Sequence, residues 1–174
     1  MEYTTDEELY DTFKNEIMLR LYNNNVEADV YESAAPYGFD DLIIVPFMEA
    51  RQVTTDMVNE WGITQSRLFE DAWENTRNQT FELRMFNGFM PIISTPSLQY
   101  GAIGAIVMAD KLKEYAPDGY FILPSSIHEV IFINKNDDFS KEYFDDMVRT
   151  VTDRNVIPAE RLDWHAYEFK GGDD

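Results

Sequence analysis

The sequence predicts an α+β fold, a single domain in which an antiparallel or mixed β-sheet carries helices packed against it. Three observations point there. Helical and strand-like stretches alternate irregularly, at short hairpin-like spacings instead of the regular βαβ units of a parallel sheet. The 174 residues are 44% hydrophobic and 14% aromatic, enough apolar surface for a packed core and too much for an intrinsically disordered chain. No internal repeat, linker or low-complexity tract divides the chain. Residues 1–174 therefore read as one domain, with 1–37 an N-terminal helix and strand and 170–174 a flexible tail.

Thr5-Asp6-Glu7-Glu8 has the form of a capping box. Leu9, Phe13, Ile17 and Leu21 recur behind it every four positions, which predicts a helix over 6–22, broken by Asn23-Asn24-Asn25. Residues 26–31 read as a short strand, and Ala35-Pro36-Tyr37-Gly38 as a turn. Residues 42–48 form an apolar run of strand length that contains Pro46. Proline donates nothing to a ladder, so this strand is expected to lie at an edge or to end there. Thr54 or Thr55 caps a short helix ending at Gly62. Thr64 caps the next helix, with Ile63 stapled onto Leu68 and Leu68, Phe69, Ala72 and Trp73 as its buried stripe.

Residues 81–94, punctuated by Asn87, Gly88 and Pro91, predict strand, turn and strand. A helix is expected over about 103–115, with Gly101 and Gly104 letting its start approach a neighbour closely. Residues 120–123 and 128–133 are strands on β-branched and aromatic content. Both faces of the second are apolar, as in a central strand. Ser140 caps a helix stapled by Phe139 and Phe144 and buried along Tyr143, Phe144, Met147, Val148 and Val151. Pro158 suits the first position of a short helical turn, and residues 164–169 read as a last strand.

Composition excludes several chemistries. With no cysteine, disulfides, thiolate nucleophiles and thiolate metal sites are impossible. The acidic N-terminus is not expected to act as a signal peptide, and no apolar run approaches the roughly 20 residues that span a bilayer. A cytoplasmic location is the expectation. Only two histidines occur, so a three-histidine metal site is out, and no metal or other cofactor is expected. Neither a phosphate-cradling glycine loop nor a dinucleotide fingerprint is present.

Ser125-Ser126-Ile127-His128-Glu129 suggests a hydrolase, with a serine nucleophile, a histidine base and a carboxylate. It lacks the glycine-flanked nucleophile elbow, so a turn between strands, with hydroxyls bonding backbone, is the stronger reading.

Charge is the most pronounced feature. Fourteen basic against 33 acidic residues give a net charge of −19, which repels phosphate backbones and anionic membranes alike. Direct nucleic-acid and membrane binding are not expected. High charge serves solubility in any protein; the sharper reading is a surface for a basic partner. In that reading the acidic doublets, with Asp137, Asp138, Asp145 and Asp146 as partner-binding candidates, stand in for phosphates. Asp145 and Asp146 are expected to face solvent.

Phe121 to Ile131, containing Leu-Pro-Ser-Ser-Ile-His-Glu, resembles the signature of an uncharacterised family of clostridial and other gut-bacterial proteins, a domain of unknown function. Trp61-Gly62-Ile63-Thr64 with Ala72 and Asn75-Thr76, Tyr100-Gly101-Ala102, and Met147-Val148 with Val156 to Glu160 are similar to it as well, so the resemblance runs from about Leu42 onward. It implies a bacterial cytoplasmic α+β protein, with members associated with mobile elements, and no catalytic residue. Three functions compete on this basis. The first is a non-enzymatic acidic protein that binds a basic, nucleic-acid-handling partner, as a mimic that inhibits a defence enzyme would. The second is a hydrolase-like enzyme centred on Ser125, Ser126, His128 and Glu129. The third is a structural or scaffold subunit of unspecified oligomeric state.

Overall fold

The computed structural model describes residues 6–24, 33–36, 38–136 and 138–171. Helix α1 (Asp6–Phe13) leads through a 3-10 turn into strand β1 (Ile17–Asn23). The helix expected over 6–22 therefore stops nine residues early. Ile17, Leu19 and Leu21 are buried while Met18, Arg20 and Tyr22 are half-buried, an alternation of period two. Positions 9, 13, 17 and 21 satisfy a four-residue spacing and, from 17 on, a two-residue one as well; burial of Leu19 favours the strand. Thr5 of the capping box, residues 26–31, Tyr37, Asp137 and residues 172–174 lie outside the described residues.

Strand β3 (Leu42–Met48) pairs antiparallel with β1 on one side, and with β2 (Ser33–Ala34) and β4 (Arg51–Gln52) on the other. It is thus central and unbroken, contrary to the expectation from Pro46. Its partners explain the tolerance. β2 stands opposite Ile43 and Ile44 and β4 opposite Phe47 and Met48, which leaves a gap beside Pro46. The Pro46 carbonyl accepts from the Val53 amide there. Because the nitrogen of an extended residue points the same way as its carbonyl, the missing N–H falls in the gap.

Helices α2 (Thr55–Trp61) and α3 (Gln65–Asn78) are capped as read. Thr54 Oγ1 accepts from the Met57 amide, Gly62 closes α2 at φ +63°, and Thr64 Oγ1 accepts from the Arg67 amide. The last turns of α3 then clip the outer edge of β1. Thr76, fully buried, accepts from the Leu19 amide at 2.9 Å and donates to the Ala72 carbonyl at 2.7 Å. Asn75 Nδ2 donates to the Ile17 carbonyl at 2.9 Å and to Lys14 at 2.6 Å. Ile17 and Leu19 point these groups away from β3, where an edge strand otherwise leaves them to water.

The second sheet runs β5-β6-β8-β7-β9, antiparallel throughout: β5 (Glu82–Phe86), β6 (Met90–Ser94), β7 (Gly119–Leu123), β8 (Val130–Asn134) and β9 (Tyr167–Lys170). Asn87 and Gly88 turn the first hairpin with φ +53° and +80°. As expected, β8 is central. Tyr120, Ile122, Val130 and Phe132 join the main core shared with β1, β3 and α3, whereas Phe121 and Leu123 face α6 (Lys141–Asn155) through Phe144 and Val148. Tyr143 of the expected stripe is exposed instead and stacks on Phe139.

The helix expected over 103–115 comes in two pieces, α4 (Gly104–Val107) and α5 (Ala109–Tyr115), jointed at Met108. The close approaches read at its glycines are real. A Cβ on Gly101 would sit 2.3 Å from Ser94 Oγ and 2.5 Å from the Thr95 nitrogen, and one on Gly104 2.8 Å from both Ile93 and Phe81.

The clip predicts a specific loss. Thr76→Val keeps the shape, removes the hydroxyl and orphans the Leu19 amide, which should cost about 1–3 kcal/mol in urea unfolding. Thr76→Ser, which keeps the hydroxyl, should lose less.

Candidate functional site

The Pro124–Glu129 segment lies between β7 and β8, and β8 begins only at Val130. The strand expected over 128–133 therefore starts two residues late, and His128 and Glu129 sit in the loop. Backbone bonds hold the loop extended on two sides. The Gly101 and Ala102 amides donate to the His128 and Ile127 carbonyls, while Ile127, Leu162 and Asp163 amides bond across to Glu160, Ser125 and Pro124. Three of the family-like segments, Tyr100–Ala102, Pro124–Glu129 and Val156–Glu160, thus meet in space.

These bonds occupy the hydrolase candidates. Ser126 Oγ accepts from the His128 amide at 3.0 Å. His128 Nδ1 accepts from the Tyr100 amide at 3.0 Å, which places the proton of the neutral ring on Nε2, 3.2 Å from Glu160. The lone pair that would deprotonate a serine is already used, and among the described residues neither Ser125 nor Ser126 bonds the ring. No nucleophile–base pair forms. The ring packs on Tyr100, itself held at φ +51° and covered by the Arg20 guanidinium 3.6 Å above its centroid.

What the loop does build is a pocket of about 400 Å³ against the far end of α6. Phe86, Ile92, Leu123, Ile131, Val151 and Val156 give it apolar walls, and Ser125, Ser126, Glu129 and Asn155 supply its polar atoms. Glu129 is set apart. It has no hydrogen bond among the described residues, and withdrawal from water raises its carboxyl above the ordinary range; His128 opposes the rise and Glu160 adds to it.

The three described partner-binding aspartates play different parts. Asp138 is exposed, and its amide bonds Asn136. Asp146 is exposed and pairs with Arg149. Asp145, expected to face solvent, is turned inward: its Oδ1 accepts from the Ala166 amide at 2.8 Å and from Lys141 at 3.0 Å, tying α6 to the entry of β9. The described part of α6 mixes Lys141, Arg149 and Arg154 with its acids, so no one-signed face arises there.

A denser run of acids, still mixed with basic residues, lies at the other end of the chain. Residues 6–16 and 55–78 carry five acids each against Lys14, Arg67 and Arg77. α1 packs on α2 and α3 through Tyr10 and Phe13 on Trp61, and Arg67 bridges Glu7 and Asp11. Tyr10 donates to Asp71 at 2.6 Å; burial, then that bond, drives its hydroxyl pKa far up. On the outer side of α3 two depressions of about 640 and 380 Å³ meet at Trp73 and Arg77. Phe69 and Trp73 line them, with Glu70, Glu74 and Asp110 beside. Phe69 and Trp73, expected in the buried stripe of α3, are only half-buried; the i, i+4 glutamates flanking them are the signal that one side of this stripe is wet.

A third cluster joins the two sheets. His165 Nε2 lies 2.7 Å from Asp41 and 3.5 Å from Asp163, and Nδ1 lies 2.9 Å from the Ala166 carbonyl. Their ligand atoms converge within 4.8 Å, the arrangement among the described residues that could hold a metal. With acceptors on both nitrogens, however, the ring is satisfied as an imidazolium. Burial lowers its pKa, yet Ala166, Asp41 and Asp163 together raise it. Nothing in the sequence brought Asp41 and His165 together, because 124 positions separate them.

A family of unknown function, DUF5688, matches residues 79–171. The chain belongs to that family. The match takes in β5 through β9, α6 and every residue lining the Glu129 pocket. It leaves out the acidic helices and the Trp61–Thr76 segments that had suggested a longer resemblance. No curated protein and no solved structure matches the chain. No helix among the described residues is long and apolar enough to cross a membrane.

The raised Glu129 pKa carries a sign. A group whose carboxyl titrates higher in the folded state adds stability below the ordinary carboxylate range and loses it as pH rises through the folded value. Glu129→Gln should therefore raise the urea midpoint at pH 7 and leave it unchanged near pH 4.

Proposed function

We propose that this member of DUF5688 is a non-enzymatic acidic interaction protein that engages a basic protein partner through α1, α2 and α3. The observation that carries this reading is the groove around Trp73, where aromatic surface lies among Glu70, Glu74 and Asp110, three acids against the single cation Arg77 that covers the Trp73 ring. Aromatic area supplies contact energy at an interface, and the surrounding carboxylates select and steer a cationic partner. The net charge of −19 works in the same direction over a longer range. In the finer form of the proposal the partner handles nucleic acid, and the carboxylates of this layer occupy its phosphate sites as an inhibitor would. The hydrolase reading loses its support with the base nitrogen of His128 already bonded. A scaffold role is the second reading, favoured by Met85 and Phe89, which are 55% and 70% exposed on the first hairpin of the second sheet.

Two charge-reversed variants test the proposal against wild type, each used to capture partners from host lysate at low salt. Glu70→Lys with Glu74→Lys alters the groove; Glu142→Lys with Asp146→Lys makes the same charge change on α6. A basic protein retained by wild type and the α6 variant, released by moderate salt and lost from the groove variant, is the expected result. Equal retention by both variants would contradict it. Salt-insensitive recovery of further copies of the chain would favour the scaffold.

A further inference from the structure

We propose that the pocket beside the Pro124–Glu129 loop binds a small amine, an ammonium group carried on an apolar body. The walls call for the body. Eight apolar side chains from β5, β6, β7, β8, α6 and adjoining loops line about 400 Å³, the size of small-ligand pockets. The polar atoms call for the head. Glu129 lines the pocket with no hydrogen bond or ion pair among the described residues, and no lysine or arginine lines it. The carboxylate is half-buried with its oxygens still reaching water, and among the described residues it lacks the compensating partner that a more deeply buried charge ordinarily finds. A ligand cation supplies it, and the attraction is strengthened by the apolar walls.

One further observation fits a cationic head. Ser125 and Asn155 line the same pocket and can accept the remaining N–H groups of a primary ammonium. An anionic ligand would meet the opposite of what it needs. A neutral alcohol would gain the walls without the charge. All twelve lining residues fall within the family match, so the site belongs to the domain and not to the acidic helices, and it stands independently of the partner proposed above.

The test uses the full chain and four probes: phenylbutylamine, phenylbutanol, phenylbutyrate and ethanolamine, titrated near pH 7 in about 0.15 M salt to screen the acidic surface. NMR shifts of the Ile92, Ile131 and Val151 methyls report occupancy. Phenylbutylamine should move them and bind at least about tenfold more tightly than phenylbutanol, a difference of about 1.4 kcal/mol. Phenylbutyrate and ethanolamine should leave the methyls in place. Glu129→Gln should bring the amine down to the affinity of the alcohol. Methyls unmoved by the amine, equal affinities for amine and alcohol in wild type, or an amine preference that survives in Glu129→Gln would each overturn the site. The comparison of probes on wild type decides the matter even if the variant does not fold.

Discussion

The free edge of β1 is the constraint on which the rest of the molecule depends. An edge strand must hide its outward N–H and C=O groups or leave them open to another chain. Here Thr76 takes the Leu19 amide and Asn75 takes the Ile17 and Lys14 carbonyls. These bonds come from the last turns of α3, so they set its rotation as well as its position. With Leu68, Ala72 and Thr76 turned to the sheet, the side bearing Glu70 and Glu74 can only face water. The groove at Trp73 follows from a backbone requirement some distance away.

The second sheet serves a different end. Its central strand β8 is entered through the loop that holds His128 and Glu129, and that loop is fixed by backbone bonds to residues 100–102 and 160–163. That fixing satisfies its backbone, and two of its side chains help to hold it. Ser126 and His128 bond backbone amides, and Ser94 donates to the His128 carbonyl at 2.6 Å. Glu129 turns to a largely apolar pocket with no hydrogen bond among the described residues. The structural economy of the loop is what makes that carboxyl stand out.

Local chemistry was legible in the sequence wherever one residue type decides a backbone state. Thr54, Thr64 and Ser140 cap helices, Gly62 and Asn87-Gly88 turn the chain, and Gly101 and Gly104 admit close packing. Patterns shared by two structures were not. The spacing of Leu9, Phe13, Ile17 and Leu21 fits a helix and also contains the strand alternation that burial of Leu19 decides. Pro46 was misread because its fit depends on where β2 stops and β4 starts, which are facts about partners. The site followed the same division. The Pro124–Glu129 segment stood out on composition, but its roles rest on Tyr100 and Glu160, and the Asp41–His165 contact joins residues with no local signal. Asp145 looked like a surface acid because nothing in α6 announces the Ala166 amide.

Amide hydrogen exchange at Leu19 reads the β1–α3 clip directly. If Thr76 holds α3 to this edge, the Leu19 amide exchanges as slowly as the amides of the central strand β3, and Thr76→Val releases it selectively. Exchange of the Leu19 amide at the rate of an open edge strand in the wild-type chain would contradict the account. The orientation of α3, and with it the groove, would then need another cause.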